Sequence, residues 1–343
     1  MRYAKESLKN QIPYHSKNIT EGIILNANES PFPPKKELLN YLSDVVKTAS
    51  FNRYPDTDCL KLREAIAKFY QVGVDNVCCG VGSDQLLDSL FRSTINNEYV
   101  LICNPSFSMY SEYAKLSNAK AIYAPFNEDL TYNVDYILDS IKKYDPKITF
   151  ICTPNNPTGA TIKRDDLLKI INATDNIVVI DEAYAEFADE SFIDLAKEYA
   201  NVIIFRTFSK AYGLAGMRVG YAISSKNNID LINLTKAPYN LSTFTQEAAW
   251  FVINNTDLYE NDIANLKKYR DELYLELQKL NIEVYPSEAN FLFMYFDEKV
   301  YNHLLEKLIY VRVIKFNNKA YYRVNIGTAE ENVELLKAIK EAL

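Results

Sequence analysis

Apolar residues along this chain fall into short continuous runs, separated by stretches in which they recur every three or four positions. The runs at 76–79, 99–103, 119–124, 147–152, 177–181, 202–207 and 219–223 have the length of buried strands. The stretches between them, such as 83–94, 135–143 and 164–172, have the period of amphipathic helices. Alternation of this kind predicts an α/β fold: a mostly parallel sheet wrapped by helices. In such sheets ligands bind beyond the carboxyl ends of the strands. Helical patterns at 35–48 and 58–70 precede the first strand. Upstream, Pro13 breaks an early helix and Pro31, Pro33 and Pro34 prevent another, so the start of the chain reads as an extended arm. From about 226 the pattern changes, with a domain boundary near 240. Helices at 243–253 and 257–280, strands at 290–296, 309–314 and 320–326, and a closing helix from Glu330 predict a smaller α+β unit. The expected organisation is an arm over 1–28, a large domain over 29–240 and a small C-terminal domain over 241–343.

Composition removes several functions. A net charge of −7 argues against non-specific nucleic-acid binding, although a small anionic substrate needs only a local positive site. Cys59, Cys78, Cys79, Cys103 and Cys152 are odd in number and show no C-x-x-C spacing, which suits reduced thiols in a cytoplasm. With His15 and His303 as the whole histidine complement, a His-rich metal site is not expected. The first residues lack an apolar leader, and no run reaches the roughly 18 apolar residues of a membrane span. The expectation is a soluble cytoplasmic protein with neither membrane nor nucleic-acid partner.

The chemistry gathers at the strand ends. The run 202–207 stops at Ser209-Lys210, and Arg218 follows after a turn containing Gly213 and Gly216. A lysine at the mouth of a buried strand, with a fixed arginine nearby, suits a covalently held carbonyl cofactor that bears a phosphate. That is the requirement of pyridoxal phosphate (PLP): Lys210 forms the Schiff base and later moves a proton, while Thr207, Ser209 and Arg218 hold the phosphate. Gly82-Ser83-Asp84, at a helix start, suits either phosphate binding or simple capping. Phe107, at the end of 99–103, would stack on a flat ring or fill the core. Asn156, within TPNNPTG (153–159), offers an amide near a ring oxygen, in a sequence that also suits an ordinary turn. Asp181 ends an apolar strand and needs a partner; a protonated pyridinium, a metal and a helix N-terminus all qualify. Tyr184 would donate to the ring's phenolate oxygen. Arg312 and Arg323 lie in alternating apolar strands, as surface residues or as an anion clamp facing the cleft.

Taken in order, LNANESPFPP (25–34), NRYPD (52–56), GVGSDQLL (80–87), PSFSMY (105–110), TPNNPTG (153–159), VVIDEAYAEF (178–187), RTFSKAYGLAGMRVGY (206–221), PYNLS (238–242), ANFLF (289–293) and YRVNIGTAEEN (322–332) resemble the fold-type I PLP aminotransferases, and within them the histidinol-phosphate aminotransferase group. The resemblance covers nearly the whole chain. It implies Lys210 as the Schiff-base lysine, Asp181 as the pyridinium partner, and Asn156 and Tyr184 at the ring oxygen. It places Phe107 under the ring, and Gly82, Ser83, Asp84, Thr207, Ser209 and Arg218 around the phosphate. It further implies a homodimer in which Tyr54 reaches the neighbouring active site. Substrate contacts would come from Tyr14, Asn28, Arg312 and Arg323. The implied reaction is ping-pong transfer of an amine between glutamate/2-oxoglutarate and an amino-alcohol phosphate, histidinol phosphate first among them. Enzymes with the same motifs act on serinol phosphate or aromatic amino acids, or decarboxylate threonine phosphate. Gln85, Asn325 and Ile326 depart from the group's usual residues.

Overall fold

The structure, a computed structural model, describes residues 19–343. It opens with strand β1 (Ile23–Leu25) and helices α1 (Lys36–Thr48) and α2 (Leu60–Tyr70). Strand–helix pairs follow: β2 (Val77–Gly80) with α3 (Gly82–Thr94), β3 (Tyr99–Asn104) with α4 (Ser108–Leu116), β4 (Lys120–Pro125) with α5 (Val134–Tyr144), β5 (Ile148–Cys152) with α6 (Arg164–Asn172), and β6 (Ile177–Asp181) with α7 (Leu195–Glu198). Next come β7 (Val202–Thr207), β8 (Gly220–Ser224), α8 (Lys226–Asn233), α9 (Thr243–Ile253) and α10 (Asp257–Lys279). The chain ends with β9 (Glu283–Tyr285), β10 (Phe291–Tyr295), α11 (Glu298–Glu306), β11 (Ile309–Phe316), β12 (Lys319–Asn325) and α12 (Ala329–Ala342). No described helix is long and apolar enough to cross a membrane.

Seven strands form one sheet in the order β2-β8-β7-β6-β5-β3-β4. All but the edge strand β4 are buried on both faces, and the period of two sorts the inner strands between two cores: Val179, Ile203 and Phe205 pack on one side, Val178, Ile180, Val202 and Ile204 on the other. Each such side chain, fully buried, contributes roughly 1.5–3 kcal/mol. The sheet is parallel except at β8, which runs antiparallel to both β7 and β2. The segment between β7 and β8 holds no α-helix, so the chain folds straight back rather than crossing over. This reversal matters for the site. It sets Gly220 opposite both Thr207 and Gly80, so the turn after β2 and the loop before β8 reach the edge where β3, β5, β6 and β7 end.

The second sheet has the order β1-β11-β12-β10-β9, with β1 parallel to β11 and the remaining pairs antiparallel. Residues 23–25, placed by the sequence in the arm, are thus an edge strand; three residues are too few to show a period. The sequence patterns likewise left out α8, α11 and β9, and gave no ranges to α4 and α7 among the helices expected between strands. These are short, and α4 (SMYSEYAKL) and α8 (KNNIDLIN) carry few aliphatic residues at helical spacing. Caps fix several helix starts: Asn133 on α5, Ser242 on α9, and at α12 a reciprocal Thr328–Glu331 box.

Candidate active site

The carboxyl ends of β5, β6 and β7 lie in register, with Cys152 beside Asp181 and Asp181 beside Phe205. The loops leaving these strands therefore converge on one edge. Asp181 is buried, and its Oδ2 accepts the Tyr110 hydroxyl proton at 2.6 Å while Oδ1 accepts the Ala183 N–H at 3.1 Å. Burial pushes its carboxyl up to about 6, against the pull of those two donors. Lys210 lies just beyond β7. Its Nζ donates to the Ala27 carbonyl at 3.1 Å and stands 5.9 Å from the centre of the Tyr184 ring. Burial first, and then the Arg323 charge, lower this amine to about 8.

Tyr184 is buried, edge-on to Phe291 at 5.1 Å, and its hydroxyl oxygen accepts Asn28 Nδ2 at 2.9 Å. Its own proton is thereby left to donate elsewhere. Arg323, near the centre of the smaller sheet, donates from Nη1 to Asn156 Oδ1 at 2.6 Å and from Nη2 to the Asn26 carbonyl at 2.8 Å. With its oxygen accepting from Arg323, Asn156 has its NH2 group left as a donor. Arg312 stands directly opposite Arg323 across the β11–β12 pair. Residues 26–28 leave β1 and bridge the two sheets through the Asn26, Ala27 and Asn28 carbonyls, which accept from Arg323, Lys210 and Asn290. Asn28 makes this crossing at φ 54°, and its Oδ1 is buried without a partner among the described residues.

A second group sits beside the first. Gly82 has φ 68°, and a Cβ there would lie 2.8 Å from Arg218 Nη2. The positive φ favours glycine there, while the tip of the flexible Arg218 side chain sets how close the turn comes. The Gly82 N–H donates to the Arg218 carbonyl at 3.1 Å, and Arg218 Nη2 meets Asp84 Oδ2 at 3.2 Å. Thr207 and Ser209 hydroxyls are 3.0 Å apart, and Gly220 lies so near that a Cβ on it would be 2.5 Å from the Ser83 nitrogen. Hydroxyls, a guanidinium and the first N–H groups of α3 thus surround one spot, a donor set suited to an oxyanion.

The structure therefore draws together Gly82, Ser83, Asp84, Thr207, Ser209 and Arg218, and next to them Asn28, Asn156, Asp181, Tyr184, Lys210 and Arg323. Phe107 is half-buried at the end of β3, its ring edge-to-face with Tyr110 at 5.5 Å. Tyr54 is 81% exposed and stacked on Tyr239 at 4.6 Å. Tyr14 lies outside the described residues.

Sequence reasoning missed two contributors. Tyr110 carried a signal, since it comes three residues after Phe107, one helical turn. Ala27 carried none, because it acts through its backbone. Two of the unusual residues have clear work. Gln85 Oε1 accepts from the Val81 N–H at 2.9 Å and from Asn240 Nδ2 at 2.7 Å, holding the turn before α3. Asn325 Oδ1 accepts the Asn28 N–H at 3.3 Å.

The family described as Aminotransferase class I and II matches residues 20–339. A histidinol-phosphate aminotransferase of Thermoanaerobacter pseudethanolicus is 38% identical over 99% of this chain and 98% of its own length. One from Pyrococcus furiosus is 38% identical over 98% of this chain and 97% of its own. Among solved structures, a Sinorhizobium meliloti histidinol-phosphate aminotransferase in complex with pyridoxal-5′-phosphate superposes with a TM-score of 0.91 at 20% identity, covering 100% of this chain and 98% of that one.

Proposed function

We propose that this chain, which belongs to the aminotransferase class I and II family, transfers an amine between glutamate and histidinol phosphate with PLP as its cofactor. The observation that carries the reading is the convergence of Lys210, Asp181, Tyr184 and Asn156 beside the cradle of Gly82, Ser83, Asp84, Thr207, Ser209 and Arg218. The residues fit the cofactor. The cradle is closed against backbone at Gly220, where a Cβ would lie 2.5 Å from the Ser83 nitrogen and 2.9 Å from the Arg206 carbonyl oxygen. The donors to Asp181 among the described residues, Tyr110 and Ala183, are neutral, which suits a cationic ring nitrogen as the missing partner.

PLP, when bound, supplies an electron sink that stabilises negative charge on the substrate's α-carbon. Lys210 Nζ holds the cofactor and, once released, takes the proton from that carbon; an amine lowered to about 8 is a competent base near neutral pH. Asp181 keeps the ring nitrogen protonated by remaining an anion beside it. Asn156 Nδ2 and the Tyr184 hydroxyl donate to the ring oxygen. Phe107 supports the ring face, and Arg218 anchors the phosphate with a fixed charge. Tyr54 serves the neighbouring subunit of a homodimer, a reading supported by its exposure and by its stacking on Tyr239. The free, buried thiols of all five cysteines fit a reducing cytoplasm.

Arg323 and Arg312 receive the α-carboxylate of glutamate and, in the other half of the cycle, the phosphate of histidinol phosphate, with Tyr14 completing the pocket. Two arginines paired in register across neighbouring strands, and so on the same face of the sheet, suit a dianion better than a lone carboxylate. Arg323→Ala is expected to lower kcat/KM for both substrates by roughly a hundredfold. Half-reaction kinetics with each substrate check this; a loss confined to one would contradict a shared pocket.

A further inference from the structure

The segment PSFSMY (105–110) leaves β3 and enters α4 with Phe107 just before the helix and Tyr110 in its first turn. Tyr110 is fully enclosed. Its ring lies flat on Phe150 at 4.8 Å and meets the Phe107 ring edge-on at 5.5 Å. A buried phenol needs a hydrogen-bond acceptor, and this one has Asp181 Oδ2 at 2.6 Å. With the Ala183 N–H on Oδ1, the carboxylate is gripped at both oxygens and cannot turn without breaking a bond. Two carboxylates share its sign and favour protonation, Asp84 on α3 and Glu182 in the next position, the latter ion-paired with Arg206. The phenols of Tyr132 and Tyr184 also lie within electrostatic reach. The neighbouring Cys152 thiol, raised by burial, contributes no charge at neutral pH. Among the described residues Tyr110 is therefore the side-chain donor that opposes both desolvation and like-charge repulsion at Asp181.

We infer that Tyr110 is a positioning residue for amine transfer: wedged between Phe150 and Phe107, it fixes the Asp181 carboxylate as an anion and ties its position to the ring on which the cofactor rests. This rests on the reading of Asp181 and Phe107 as cofactor contacts. A tyrosine supplies what phenylalanine does not, a proton donor at the far end of a rigid stack, so the role belongs to one oxygen atom.

The test is Tyr110→Phe in the PLP-loaded protein, which keeps the ring stack and removes that oxygen. Turnover number is expected to fall about tenfold with KM for either substrate within about twofold. The pH at which the bound cofactor's visible band changes is expected to rise by about half a unit or more, because an aspartate without its phenol donor is more basic and draws the ring-nitrogen proton toward itself. A purely packing role would lower the thermal midpoint and leave the band's titration in place, and that result overturns the inference. Asp181→Asn is titrated alongside. If it moves the band and Tyr110→Phe does not, Tyr110 has no positioning role. If neither moves it, the assignment of Asp181 fails, and the inference with it.

Discussion

Lys210→Ala is expected to cut amine transfer by at least about 10⁴-fold while leaving the protein folded. The fold should survive because the side chain is half-buried and donates to one backbone carbonyl, that of Ala27, a contact whose loss costs about 1 kcal/mol. The chemistry should not survive, because among the described residues Lys210 is the lysine whose amine lies over the Tyr184 ring. A pH arm sharpens the test. Desolvation and the Arg323 charge disfavour the ammonium form, so the neutral amine becomes the major form from about pH 8 rather than above 10. Only that form attacks a carbonyl. Loading of PLP onto the ligand-free wild-type protein should accelerate as pH rises through about 8 and then level off. Borohydride reduction and then mass spectrometry should place the cofactor on Lys210, and the alanine variant should carry none. A variant that retained full turnover would place the reacting amine elsewhere.

Asp181→Asn should separate holding the cofactor from activating it. The amide keeps the size of the carboxylate but lacks its charge, so the ring nitrogen loses the anion that keeps it protonated. The expected loss in turnover is about 10³-fold, comparable to removing one preorganised electrostatic partner from a buried site. Covalent loading on Lys210 should persist, and here the two variants part. The pH behaviour has a definite sign. In the ligand-free protein burial raises Asp181 to about 6, so cofactor affinity should fall as pH drops through that value. A cationic ring beside the carboxylate lowers it again, so the loaded protein should keep its activity to a lower pH than the ligand-free protein keeps its affinity. Equilibrium loading titrations and initial rates across pH 5–7 measure the two curves. Coincident curves would mean that Asp181 does not meet a cation.

Why these residues were legible in the sequence is itself physical. Apolar runs such as IVVID and VIIFRT are long enough to be buried strands, and a charged or hydroxyl residue that ends such a run must sit at the sheet edge. Asp181, Thr207 and Lys210 could therefore be placed before any contact was known. The antiparallel course of β8 was not legible, because hydrophobic pattern says nothing of strand direction; the missing helix between β7 and β8 was the available hint. β1 and β9 escaped because three residues show no period. The bridge at residues 26–28 works through backbone carbonyls and so leaves no mark in side-chain identity. Arg323 was ambiguous in sequence, since an arginine in a strand can face solvent; its bond to Asn156 at 2.6 Å, between elements far apart in the chain, turns it toward the site. Gln85 and Asn325, unusual as residue types, act as acceptors that lock neighbouring backbone, a role to which their position in the fold is the guide.

The central claim, amine transfer from histidinol phosphate, is tested most directly by a single half-reaction. PLP-loaded protein is mixed in a stopped-flow spectrometer with histidinol phosphate and no keto acid, and the visible band of the lysine-bound cofactor is monitored as it gives way to that of the amine form. Rapid, complete conversion at micromolar substrate is the predicted result. No conversion with histidinol phosphate, while glutamate still drives the same change, would contradict the substrate assignment and leave an aminotransferase with a different partner for glutamate.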